Sequence, residues 1–223
     1  MMQRVRYDKI WGYEDWLYDD GKVLVKKICA DSPLSVQVHP NEITAEIVGG
    51  KAKNEFWCIL KSGPIYAGFR DGVTIADVAQ AVEEGSIEKL LVKYEARAGE
   101  CYFIPGGLVH TIGKGTSVFE VQQSSTTTFR FYDWGRIDAN GNPRQLHINE
   151  AMSAMDISIK PPMPTDSVEC EYFKFRKCAA GEISGSRSKR LYYDPIEDSL
   201  TVLEPQDALM LRRDAFEVTI PVD

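Results

Sequence analysis

No apolar run in the sequence approaches the ~20 residues that a membrane helix requires, so a bilayer-spanning chain is not expected. The opening MMQRVRYDKIWG also lacks the apolar core of a secretory signal. Positive charge is in deficit: 26 Lys and Arg against 33 Asp and Glu leave a net charge of −7. With no basic stripe to offset that balance, general nucleic-acid binding is not expected. Cysteine is sparse, odd in number and never paired as CxxC (Cys29, Cys58, Cys101, Cys170, Cys178). That spacing speaks against a thiolate metal site or a disulfide framework and for reduced thiols in a cytoplasmic protein, the cysteines serving as small core residues. Low-complexity tracts and short-period repeats are also missing. What remains is a chain of 223 residues, 43% hydrophobic and 10% aromatic, which is enough to bury a core.

Gly and Pro punctuate short β-type runs along most of that length. GKVLVKKI follows the turn Asp19-Asp20-Gly21, and Val23, Val25 and Ile28 suggest a half-buried strand. In LSVQVH, Leu34, Val36 and Val38 face one way while Ser35, Gln37 and His39 face the other. EFWCIL and PIYAGF flank a Lys61–Pro64 turn. The period then changes: Thr74 reads as an N-cap, with Ile75, Val78, Ala79 and Val82 at helical spacing and a second short helix after Ser86. Strands resume with VKYEARA, CYFIP, SVFEVQQ and TTFRFYDW, and HINEAMSAM suggests one more helix. KPPMPTD, with three prolines in five positions, reads as a linker. Beyond it EYFKFRK, RLYYD, LTVLE, ALMLRR and FEVTIPV give about five further strands, and SRSKR (Ser186–Arg190) reads as a solvated loop. The expectation is a mainly β protein of sandwich, jelly-roll or barrel type.

Three histidines are present: His39, His110 and His147. Gln37 and His39 share one strand face, Glu55 opens the next β run, and His110 follows a Pro-Gly-Gly turn. Two imidazoles with a carboxylate and an amide oxygen suit a borderline divalent metal such as zinc and leave positions for water or substrate. From residue types alone, ordinary structural histidines are an equal alternative.

The spacing Gly99-x5-Pro105-x-Gly107-x2-His110 matches the second signature of the cupin superfamily, although Lys114 replaces its final Asn. Gln37-x-His39 stands where cupins usually carry His-x-His. SVQVHPNE, KNEFW, PGGLVHTIGKGT and FEVQQSSTTTFRFYDW, with KIWG and PRQLH, resemble type I mannose-6-phosphate isomerases in their short prokaryotic form over about the first 150 residues. The resemblance implies a cupin jelly-roll barrel over residues 1–159 with a helical insertion around 74–91. From the proline spacing and strand pattern, a Pro-rich linker is expected at 160–167 and a reduced second β unit at 168–223, for which a degenerate second cupin is one reading. One Zn²⁺ ion is implied on Gln37, His39, Glu55 and His110, with Lys53, Glu120 and Arg130 as catalytic residues.

The implied reaction interconverts mannose 6-phosphate and fructose 6-phosphate through an enediol, with a small sugar phosphate as the only expected partner and the oligomeric state left open. Arg130 would stabilise developing charge, Lys53 would bind phosphate or move a proton, and Glu120 is a candidate base. Two departures qualify the match. Relatives often carry Asp where Thr126 stands, and some longer members carry His at Ala52. His147 reads as structural or exposed, while Lys114, Arg136 and Arg144 are weak candidates for phosphate contacts. Two other functions fit the same motifs less well: a non-catalytic sugar-binding or regulatory cupin, and a metal-dependent cupin oxygenase.

Overall fold

The computed structural model describes residues 4–137 and 140–221. Its first strands are β1 (Val5–Lys9), β2 (Gly12–Asp19), β3 (Val23–Ala30) and β4 (Val36–Val38), followed by helix α1 (Glu42–Val48). Then come β5 (Glu55–Lys61), β6 (Gly63–Phe69), α2 (Ile75–Glu83), a 3₁₀ turn (Ile87–Leu90), β7 (Leu91–Ala96), β8 (Cys101–Ile104), β9 (His110–Ile112), β10 (Ser117–Gln123) and β11 (Phe129–Tyr132). After α3 (Ile148–Ala154) the C-terminal strands are β12 (Ser167–Glu169), β13 (Lys174–Cys178), β14 (Gly181–Ile183), β15 (Lys189–Asp194), β16 (Ser199–Leu203), β17 (Leu209–Leu211) and β18 (Ala215–Ile220). The expected FEVTIPV strand thus ends at Ile220, and Val222 lies outside the described residues.

Two sheets form the barrel. One has the order β1-β2-β3-β10-β5-β8, the other β11-β4-β9-β6-β7. Their facing sides close partly on an apolar cluster that joins Ile28, Trp57 and Ile59 to Ile65, Ala67 and Ile112, and partly on a polar cavity. A third sheet, β12-β13-β18-β15-β16, packs on the outer face of the first. There Phe119 stacks on Tyr193 at 4.5 Å and Phe56 lies 4.4 Å from Phe175. Val23, Val25 and Val121 complete that layer from the barrel side, and Leu191 and Val218 from the other. Lys27 reaches across to Asp198 at 2.8 Å, adding a charged tie between the two β units.

The capping residues behave as their chemistry dictates. Thr74 accepts from the Asp77 N–H while Asp77 accepts from Thr74, a reciprocal capping box that starts α2. The same device, Asn41 with Thr44, starts α1, a helix that the strand-dominated reading of the sequence did not anticipate.

Three further expectations need correction. Cys58 and Cys101 are disulfide-bonded, not reduced: they are direct partners across β5 and β8, with Cα atoms 4.1 Å apart. Their separation of 43 residues hides that adjacency in the sequence. Cys29, Cys170 and Cys178 are free. Strand β3 is not half-buried but covered on both faces: Val23 and Val25 pack toward the C-terminal sheet, while Leu24, Lys26 and Ile28 line the cavity. The SRSKR segment is not wholly a solvated loop, since Arg190 lies on β15, is buried, and donates to the Ser184 carbonyl at 2.6 Å.

Candidate active site and metal centre

The cavity between the two barrel sheets has a volume of about 190 Å³. Across the first sheet one register row runs Trp16, Lys26, Glu120, Trp57, Tyr102, each the direct neighbour of the next. Lys26 Nζ lies 2.9 Å from Glu120 and 3.5 Å from Glu14. The Trp57 indole N–H donates to Glu120 Oε2 at 2.9 Å and to Glu55 Oε2 at 3.0 Å. Trp16 donates to Glu14 at 2.9 Å. Lys26, Lys53, Glu14, Glu55 and Glu120 are all buried, and opposite charges meet at each contact, as burial of ions requires.

The four residues expected to bind metal come from both sheets. Gln37 on β4 stands opposite His110, the first residue of β9, and His39 lies one residue beyond the end of β4. Glu55 is the first residue of β5. His39, Glu55 and His110 offer ligand atoms that all lie within 4.8 Å of one another. His39 Nε2 is 3.0 Å from Glu55 Oε1, and His110 Nε2 is 3.7 Å from Glu55 Oε2. The tautomers are fixed by their outer bonds. His39 Nδ1–H donates to the Thr127 carbonyl at 2.9 Å and His110 Nδ1–H to the Leu108 carbonyl at 2.8 Å. Each neutral ring therefore turns its Nε2 lone pair inward, which is the arrangement of metal-ligating imidazoles. His39 Nε2 is nevertheless buried with no hydrogen-bond partner: its proton is on Nδ1, so the 3.0 Å approach to Glu55 Oε1 brings two acceptors together. The donor set fits a divalent cation. Gln37 presents Nε2 to His110 Nε2 at 3.4 Å and Oε1 to Ser35, so a half-turn of its amide brings the oxygen to the same point.

Local sequence explains the convergence. Gly107 has φ of +94° and its N–H donates to the His39 carbonyl at 2.7 Å. At Gly106 a side chain would put its Cβ 2.7 Å from the Pro40 carbonyl oxygen, so only glycine lets this turn approach the β4 exit. Asn54 then joins three segments: its Oδ1 accepts from Gly106 N at 2.9 Å, and its backbone N–H and Nδ2 donate to Gln123 Oε1 at 2.6 and 3.0 Å. One amide thus ties the Glu55 strand to the His110 turn and to the end of β10.

Electrostatics follow from this packing. Burial lowers His39 to about 3 and also lowers His110, keeping both rings neutral. Burial works to raise Glu55, but the Lys53 ammonium, 3.5 Å from its Oε1, opposes this and holds it well below the usual carboxylate range. Glu120 is pushed up to about 7 by burial and by the negative charge of Glu55, against the pull of Lys26. Burial lowers Lys53, with Glu55 only 3.5 Å from its Nζ opposing the shift. Lys26 moves the other way: burial would discharge it, yet Glu120, Glu14 and Glu55 together raise it.

Arg130 lines the same cavity from β11, half-buried, with a buried Nε that has no hydrogen-bond partner. Its backbone is clamped by His147, whose N–H donates to the Arg130 carbonyl at 2.9 Å and whose Nδ1 accepts from Arg130 N at 3.3 Å. Lys9 and Arg144 also line the cavity, whereas Lys114 and Arg136 do not. Arg136 is paired with Asp133 instead. Thr126 lines the cavity; Ala52 lines a separate groove beside α1. Lys26, Glu14, Trp57 and Asn54 were not singled out by the sequence. Lys26 carried the one usable signal, a charge on the same strand parity as Ile28.

Known proteins resemble this chain over most of its length. No protein-family model matches the chain. The mannose-6-phosphate isomerase ManA of Bacillus subtilis is 33% identical over 202 residues, which cover 81% of this chain and 63% of that protein. A mannose-6-phosphate isomerase of Streptococcus mutans is 33% identical over 171 residues, covering 72% of this chain and 53% of its own length. The chain thus spans between half and just under two thirds of the length of these curated relatives. Among solved structures, the mannose 6-phosphate isomerase from Bacillus subtilis superposes with a TM-score of 0.74 at 22% identity, covering 98% of this chain and 95% of that one. A putative mannosephosphate isomerase from Archaeoglobus fulgidus gives a TM-score of 0.68 at 18% identity, over 98% and 92% of the two chains. The fold is the mainly β, cupin-like barrel expected from the motifs, and the chain is a homologue of the mannose-6-phosphate isomerases.

Proposed function

We propose that this chain interconverts mannose 6-phosphate and fructose 6-phosphate through an enediolate, with one zinc ion held by Gln37, His39, Glu55 and His110. The observation that carries this reading is the convergence of His39, Glu55 and His110 on one buried point, in a chain 33% identical to a mannose-6-phosphate isomerase. When bound there, zinc supplies Lewis acidity for polarising a sugar carbonyl.

The chain's own residues supply the rest. Aldose–ketose exchange moves a proton from C2 to C1 and another from O2 to O1; one group that can take and give a proton near neutrality serves the carbons, and a second hydrogen-bonding group must serve the oxygens. Glu120 has the first property, at about 7, and each of its oxygens is held, one by Lys26 and one by Trp57. A cation held by Glu55 would remove part of the repulsion that raises Glu120 and so would favour the Glu120 carboxylate as the base. Lys53, discharged more readily because it is buried, is placed to hydrogen-bond a substrate oxygen beside Glu55. The unpartnered Arg130 guanidinium edge receives negative charge, and with Arg144 and Lys9 on the same cavity wall it suits a phosphate. Thr126 does not titrate and takes no part in proton transfer. A cytoplasmic location accords with a charged sugar phosphate that does not cross bilayers unaided.

The test is a coupled assay for fructose 6-phosphate formed from mannose 6-phosphate, run on the chain as prepared, after chelation, and with zinc restored. Turnover lost with chelator and recovered with zinc supports the reading. A folded, zinc-loaded chain without turnover refutes it.

A further inference from the structure

We propose that Trp57 is a positioning residue: its single indole N–H, shared by Glu55 and Glu120, locks the metal-binding carboxylate and the candidate base into one unit. The inference rests on the isomerase reading for the role of Glu120 and on geometry for the link itself.

Indole carries one donor and no acceptor, so the contacts of Nε1 have only one sense. It lies 3.0 Å from Glu55 Oε2 and 2.9 Å from Glu120 Oε2. Both contacts follow from strand geometry. Trp57 is two residues beyond Glu55, hence on the same face of β5, and directly opposite Glu120 on β10. The ring cannot swing away, because Trp57 is buried and its edge abuts the His110 imidazole, with centroids 5.3 Å apart at 80°.

Each carboxylate gives one oxygen to Trp57 and keeps the other for a different task. Glu55 Oε1 faces His39 and Lys53, at 3.0 and 3.5 Å. Glu120 Oε1 faces Lys26 at 2.9 Å. Without the N–H no donor lies between the two carboxylates, and each is held only through its other oxygen, about which its Oε2 is free to turn. The metal-binding oxygen and the proton-accepting oxygen then lose their fixed offset. A ring that merely filled space would not produce that effect, since its shape alone would keep the wall intact.

The experiment removes the donor in two ways: through Trp57→Phe, which also shortens the ring, and through Trp57→β-(3-benzothienyl)alanine, an indole isostere in which sulfur replaces N–H and the shape is kept. Zinc affinity is measured by competition with a chromophoric chelator, and kcat and KM for mannose 6-phosphate at saturating zinc. Zinc binding is expected to weaken about 10–100-fold, as loss of an outer hydrogen bond to a metal ligand generally does. At saturating zinc kcat is expected to fall at least about tenfold while KM stays within about threefold, since the link aligns the base and does not hold the sugar phosphate. The isostere guards against a Phe variant that fails to fold. An isostere that binds zinc as tightly as the parent overturns the link to Glu55, and one with unchanged kcat overturns the link to Glu120. A parent protein that binds zinc but never isomerises the sugar refutes the reaction assigned above, while the zinc comparison still decides the role of Trp57 at Glu55.

Discussion

His39 Nε2 and Glu55 Oε1 lie 3.0 Å apart, both buried, without a hydrogen bond between them. The proton of His39 is on the far side of the ring, at Thr127, so two lone pairs face one another. Such a pair is unfavourable unless a cation is shared, and two ligand atoms each about 2.0–2.2 Å from one zinc ion would fall at a separation of this order.

Removing either partner should therefore abolish stoichiometric metal. His39→Ala and Glu55→Gln are expected to retain less than about a tenth of an equivalent of zinc after dialysis, read by elemental analysis. The parent chain should lose thermal stability on chelation as well. Binding at 100-fold excess over Kd adds about 2.7 kcal/mol, or roughly 5–10 °C in Tm for a chain of this size. A Tm indifferent to chelator and zinc would contradict the site.

Glu120→Gln is expected to abolish exchange of the C2 hydrogen with solvent, followed by deuterium incorporation into recovered sugar phosphate. The same base sets the acid limb of kcat/KM. With its carboxyl at about 7 before metal neutralises Glu55, the activity should fall as pH drops through about 7 or somewhat below. Exchange that survives in the Gln variant would move the role to another group.

In the C-terminal unit, burial works to raise Glu217, but paired bonds from Arg176 at 3.0 and 2.9 Å and the Tyr192 hydroxyl at 2.7 Å outweigh it and lower its pKa. A carboxylate depressed on folding stabilises the protein above its unfolded pKa, near 4.3, and that contribution is lost as pH falls through the lower folded value. Urea unfolding at pH 7 and pH 3 should show the parent losing more stability than Glu217→Gln over this interval. Equal losses would mean that Glu217 adds nothing to acid sensitivity.

Phe119→Ala should cost about 3–5 kcal/mol, because the ring is fully buried between the barrel and the C-terminal sheet. The loss should appear as one shifted calorimetric transition, since the two β units share that core. Two separated transitions would mean that the units unfold independently.

Most of the barrel was legible because its strands obey a period of two and its turns carry Gly, Pro and Asn at the required places. Gln37 and His39 on one face, Glu55 at a strand start and His110 after Pro-Gly-Gly could be read directly. Other features depend on neighbours that sequence does not disclose. Lys26 becomes a site residue only because β10 lies beside β3 and places Glu120 opposite it. Cys58 and Cys101 meet only because β8 lies beside β5. Helix α1 was legible in principle, through Asn41 and Thr44, but its surroundings read as strand.

Strand β10 alternates Val118, Glu120 and Gln122 toward the barrel interior with Phe119 and Val121 toward the C-terminal sheet. Insertion or loss of one residue there would exchange the two sets at a stroke, driving a carboxylate into the aromatic layer and a phenyl ring against Lys26. No other register satisfies both sides, so this strand is where the chain should be least tolerant of insertion or deletion. Drift in length during evolution, or in a design built on this scaffold, belongs in the loops that join the strands.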